Sequence, residues 1–90
     1  ARTDVLDRAM IDLLSFYRDV LTTQMGSDVE RVNLDLSDAV DQAARTTTPE
    51  QSLARIAAIE ECRSRLRSNA APLLAVEALM VQLRPQAEGG

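Results

Sequence analysis

Apolar positions along the first quarter of the chain recur at helical spacing. Leu6, Met10, Leu13, Tyr17 and Leu21 form one stripe with Ala9, Leu14 and Val20 beside it, and Asp4, Arg8, Asp12, Ser15, Asp19 and Thr22 fill the opposite face. This pattern predicts one amphipathic helix over 4–25. Thr3 is placed to cap its first turn, Asp4 and Asp7 suit the positive end of its dipole, and Gly26 supplies a left-handed residue to end it. The next stretch fits two periods. Val29, Val32 and Leu36 have helical spacing, whereas Val32, Leu34 and Leu36 alternate as in an extended segment, and an extended connector over 27–35 is expected. Asp35 or Ser37 then caps a short helix over 36–45, packed through Leu36, Val40 and the small residues Ala39, Ala43 and Ala44.

The clearest start signal is Thr48-Pro49-Glu50-Gln51. Thr48 can accept from first-turn amides, Pro49 sits where its missing N–H costs nothing, and Gln51 completes a capping box. A third helix is expected over 49–69, with Leu53, Ile56, Ala57, Ile59 and Leu66 inward and Glu61 and Arg65 spaced to pair outside. Asn69-Ala70-Ala71-Pro72 breaks it. The fourth helix, 72–84, is apolar on almost every side, with Glu77 its single charge before Arg84. Such a helix cannot face water all round, and at about 18 Å it is too short to cross a bilayer. Either it is the centre of a bundle or one side is kept for a partner. Pro85 stops it, and 86–90 reads as a frayed tail. The short link between the third and fourth helices implies an antiparallel pair. The expected fold is therefore all-α, a small bundle of four helices forming one domain over 1–85.

Composition narrows the picture. A chain of 90 residues buries only roughly 60% of its unfolded surface, so a single thin core is expected. Apolar residues make up 46%, but the only aromatics are Phe16 and Tyr17, so the core is aliphatic. Adjacent residues on a straight helix cannot both point inward; Tyr17 fits the inner stripe and Phe16 is left on the flank. Net charge is -4, with ten Arg and neither Lys nor His, which disfavours duplex binding by this segment. Cys62 is the single cysteine, so neither an internal disulfide nor a cysteine-based zinc site can form; with no leader-like or membrane-length segment, a reducing cytoplasm is expected. A start at Ala1 suggests a domain cut from something longer.

Without His or Lys, no Ser–His or Cys–His pair, Schiff-base lysine or phosphate-loop lysine can be built, so no catalytic residues are expected. The glycines, at 26, 89 and 90, form no phosphate cradle. Asn33 to Asp38 imitates the opening of a calcium loop, but Asp38 stands where the turn glycine belongs and Ala44 replaces the closing carboxylate. Capping by Asp35 and Asp38 is the simpler account, and no metal or cofactor is expected. Glu60 and Glu61 are adjacent and point apart, which removes them as an acid–base pair and leaves them solvated. Cys62 reads as a packed small hydrophobe. Arg63 and Arg67 share a helix face while Arg65 points elsewhere; they read as a solvated helix terminus, with contact to phosphate or an acidic partner as the alternative. Glu77 needs a water-facing edge or an Arg partner.

Several motifs in order carry a resemblance. Phe16-Tyr17-Arg18-Asp19, Val32-Asn33-Leu34-Asp35, Thr48-Pro49-Glu50, and Asn69-Ala70-Ala71-Pro72 leading into Leu74-Ala75-Val76-Glu77-Ala78-Leu79 resemble the C-terminal domain of the bacterial DNA polymerase III delta-prime subunit, over nearly the whole chain. One departure is Ala70, where such domains often carry a longer aliphatic residue. The resemblance implies a non-catalytic clamp-loader part whose helices form a collar with the delta and tau or gamma subunits; the ATPase-like modules that precede it there are absent from this chain. The apolar fourth helix independently asks for a partner, and Phe16, Leu73, Val76 and Met80 are the candidate contacts. The alternatives are the collar of a tau or gamma relative, or a helical nucleic-acid or regulatory module using Arg63, Arg65 and Arg67.

Overall fold

The computed structural model describes residues 2–27, 34–68 and 72–84. It contains helix α1 (Arg2–Gln24), a 3-10 turn (Leu34–Leu36), α2 (Ser37–Thr46), α3 (Pro49–Arg67) and α4 (Pro72–Leu83), with no strand among the described residues. The fold is the small all-α bundle that the periodicity predicts.

The helices lie almost in one layer. α1 packs against α2 and α3, and α3 packs in turn against α4, which leaves α2 and α4 on the outside. The principal dimensions are 38 × 33 × 16 Å, and the shortest is less than two helix diameters. α3 runs antiparallel to both neighbours: Asp7 meets Arg63 and Gln24 meets Ser52, while Cys62 meets Ala75 and the start of α3 lies by Gln82 and Arg84. α2 runs in the same direction as α1, since Leu36 lies beside Leu13 and Phe16 while Gln24 reaches Ala44 and Thr47. The core is thin and aliphatic. Met10 and Leu14 of α1, Ile59, Cys62 and Leu66 of α3, and Ala75 and Leu79 of α4 form it, edged by half-buried Leu6, Leu13, Tyr17, Ile56, Ala58, Val76 and Leu83. Val20 and Val40 are also buried.

Local chemistry explains most boundaries. Gly26, at φ 69°, lets the Ser27 N–H reach the Thr22 carbonyl at 3.0 Å and the Gly26 N–H reach Thr23 at 3.1 Å, the paired bonds of a left-handed helix stop. Thr48 accepts from the Gln51 N–H at 3.1 Å while the Gln51 side chain accepts from the Thr48 N–H at 2.9 Å, closing the predicted capping box.

Several expectations are corrected. Thr3 lies inside α1, not ahead of it, because Arg2 is a good helix former and extends the first turn. The described end of the expected connector, Leu34–Leu36, is a 3-10 turn and not extended, the helical spacing having prevailed; residues 28–33 lie outside the described residues. Neither Asp35 nor Ser37 caps α2. The N-cap is Leu36 with no side-chain bond, since the turn runs directly into the helix and its carbonyls serve the first amides. α3 ends at Arg67, where the Ser68 N–H bonds back to Ser64 and Arg65; the expected breaker Asn69 lies outside the described residues, as do Pro85 and the tail. Leu53 and Ala57 face solvent. The inward face of α3 is shared by two neighbours and runs through Ser52, Ile59, Cys62 and Leu66; Leu53 is turned about 100° from Ser52. Asp19, assigned to the water-facing side, is 4% exposed. Val76, chosen as lying outside the inward stripe, packs against the core, because α4 meets α3 across both Ala75 and Leu79.

Candidate functional site

Position makes α4 the unusual element. Helical rotation of about 100° per residue places Ala75, Val76, Leu79 and Leu83 on the side that meets the core. A further arc, about 120° wide by the same rotation, carries Leu73, Leu74, Met80 and Val81, with Glu77 between them. These four large apolar side chains are 57–72% exposed. The edge of the layer thus presents two apolar pairs, Leu73 with Met80 and Leu74 with Val81, on either side of Glu77, an apolar ridge of the kind that marks a protein-binding surface. Glu77 lies on it facing water.

Of the four candidate contacts, Leu73 and Met80 lie on this ridge and Val76 lies beneath it. Phe16 is elsewhere. It is half-buried on α1 and lines an open groove of about 430 Å³ with Ala9, Leu13, Tyr17 and Leu36, where Asp12 is the one charged residue among the described ones. Its ring meets Tyr17 edge-on at 5.2 Å between centroids. Tyr17 packs against the core, as the stripe predicts. Leu74 and Val81, which sequence reasoning missed, are more exposed than Val76; their seven-residue separation, parallel to that of Leu73 and Met80, was the available signal.

The charged residues mostly satisfy one another. Arg63 Nε donates to Asp7 Oδ1 at 2.9 Å, joining α3 to α1. That hydrogen bond, aided by the charges of Arg63 and Arg67, holds the Asp7 carboxyl below its ordinary value, and the same contact raises Arg63. Arg65 pairs with Glu61 at 3.3 Å, and Arg18 of the Phe16–Asp19 motif pairs with Glu60 at 3.7 Å. The arginine cluster is therefore divided. Arg63 serves the α1 contact, Arg65 its own helix, and Arg67 is exposed. Of the other motif residues, Asp35 is exposed in the 3-10 turn and Pro72 opens α4, while Asn33 and Asn69 lie outside the described residues.

A buried polar junction was not anticipated. Ser52, fully buried in the first turns of α3, donates to Gln24 Oε1 at 2.8 Å, and Gln24 Nε2 donates to the Thr47 carbonyl at 2.9 Å and its hydroxyl at 3.0 Å. One glutamine thus ties three helices together. A single Gln at the end of an amphipathic stripe gives no sequence signal of such a role. Cys62 is buried, with its Sγ 3.7 Å from the Ala75 carbonyl, and burial pushes the thiol pKa up, away from nucleophilic use. Among the described residues no three acidic, Cys or His groups converge on a possible metal site, and no helix is long and apolar enough to cross a membrane.

A family described as the C-terminal domain of the DNA polymerase III delta subunit matches residues 4–84. The chain belongs to that family. The match takes in all of α2, α3 and α4 and nearly all of α1, so the exposed ridge and the buried junction both lie inside the family domain. No match was found among curated proteins or among solved structures.

Proposed function

We propose that this domain is the collar part of a delta-prime type clamp-loader subunit, a non-catalytic assembly module that packs against the delta and tau or gamma subunits in the cytoplasm. The exposed ridge of α4 carries this reading. A helix with Leu73, Leu74, Met80 and Val81 all open to water costs solubility unless another chain covers it, and interface cores are built from such apolar side chains. Membership of a DNA polymerase III subunit family supports a partner within that assembly. The ordered motifs Phe16 to Asp19, Asn69 to Pro72 and Leu74 to Leu79 carry the resemblance to delta prime. A nucleic-acid role for Arg63, Arg65 and Arg67 is less favoured, since two of the three are engaged by carboxylates. Size-exclusion chromatography tests the proposal. The domain should co-elute with delta and tau or gamma collar domains, and Leu73→Ser with Met80→Ser should abolish this while leaving helicity intact. Wild-type domain that never co-elutes, or a variant that binds as well, would overturn it.

A further inference from the structure

Away from the α4 ridge, the layer opens where the middle of α1, the end of α2, the start of α3 and the end of α4 converge. The opening is a cleft of about 420 Å³ whose walls include Tyr17, Thr47, Gln51, Arg55 and Leu83. Gln51 and Arg55 also line an adjoining recess of about 60 Å³, which Gln82 and Arg84 complete. Arg55 thus borders both hollows and Arg84 the smaller of the two. No described carboxylate lies within ion-pair distance of either, whereas Arg8, Arg18, Arg63 and Arg65 each have one. Arg55 instead rests on the Tyr17 ring, its guanidinium carbon 5.6 Å from the centroid. In a chain of net charge -4, Arg55 beside the cleft and Arg84 beside the adjoining recess, neither paired with a described carboxylate, concentrate positive potential there.

We propose that this cleft binds an acidic polypeptide segment. Carboxylate side chains meet Arg55 and Arg84, an apolar side chain lies against Tyr17 and Leu83, and the Gln51 and Gln82 amides supply hydrogen bonds. The planar guanidinium fork suits a carboxylate, and stacking on Tyr17 holds Arg55 in place for it. The observations favour a peptide over nucleic acid. Affinity for a phosphate backbone grows with the number of phosphates neutralised, and two arginines on an acidic domain neutralise few, while Tyr17 and Leu83 give the cleft an apolar wall. The proposal does not depend on the collar reading, since it concerns a different surface.

Tyrosine emission tests it directly, because Tyr17 is the only tyrosine and the chain has no tryptophan. A synthetic peptide of glutamates around a single leucine, titrated into the 90-residue chain at low ionic strength, should change Tyr17 emission saturably. Arg84→Gln should weaken binding several-fold, and Arg55→Gln with Arg84→Gln roughly tenfold, as expected for two partly exposed ion pairs. Arg55→Lys should retain more affinity than Arg55→Gln. Arg84 is exposed at the end of α4, so Arg84→Gln keeps the fold, and circular dichroism verifies this. The proposal fails if there is no saturable response, if the same peptide with glutamine for glutamate binds equally well, or if oligothymidylate binds in preference.

Discussion

Asp7 and Arg63 show how one ion pair can set a pH dependence. The folded protein holds the Asp7 carboxyl below its ordinary pKa, so the unfolded chain binds the proton more readily. The pair's contribution is therefore present above the ordinary carboxylate range and is lost as pH falls through the folded value. Arg63 is shifted the other way, upward, by the same hydrogen bond to Asp7, and its contribution is lost only at a pH outside any working range. Asp7→Asn should flatten the fall in stability between about pH 5 and pH 3, measured by urea denaturation at several pH values. Parallel curves for the two proteins would remove the assignment. Gln24 makes a larger demand. Gln24→Ala leaves the fully buried Ser52 hydroxyl without its acceptor and should cost about 1–3 kcal/mol, read from the same denaturation midpoints. A cost no greater than for an exposed glutamine such as Gln42 would show that water replaces the junction.

Among the elements, α3 organises the rest. It carries the best-defined start, touches both α1 and α4, and contributes Ile59, Cys62 and Leu66 to the core. Its capping box satisfies amides that would otherwise be orphaned where Ser52 must also be buried. Thr48→Ala should lower stability by about 1 kcal/mol, and Thr48→Ser should restore most of it. Thermal unfolding followed by circular dichroism distinguishes them; equal midpoints for all three proteins would mean that the cap adds nothing. α2 differs in kind. It has no side-chain cap and joins the rest through Val40 and the Gln24 bonds, so the geometry at the start of α3 also fixes the end of α2.

At the scale of the molecule, a layer 16 Å thick cannot enclose a helix as apolar as α4 on all sides. The two faces of that helix should respond differently. Leu79→Ala, inside the core, should cost about 2–5 kcal/mol. Leu74→Ser with Val81→Ser, on the exposed ridge, should change stability by no more than about 0.5 kcal/mol per site while weakening association with the partner collar domains. Denaturant midpoints and sedimentation velocity give the two readouts. A large loss of stability from the ridge pair would mean that those side chains are packed within the protomer.

Periodicity and capping chemistry by themselves determined four helices, the start of the last at Pro72, the Thr48–Gln51 start and the surplus of apolar surface on α4, because these depend on spacing and on neighbours only a few residues apart. Cys62 as a packed residue and the Glu61–Arg65 pair were legible for the same reason. Other features depended on which helix stands beside which. Leu53 faces water and Ser52 is buried because α3 is shared between α1 and α4 and meets Gln24 from far along the chain. Arg63 turns to Asp7 while Arg55 rests on Tyr17 beside a cleft, because the two α3 arginines meet different parts of α1. Sequence showed that α4 had too much apolar surface. Only the side-by-side packing placed it at an edge, and so decided that Leu73, Leu74, Met80 and Val81 are the residues left exposed.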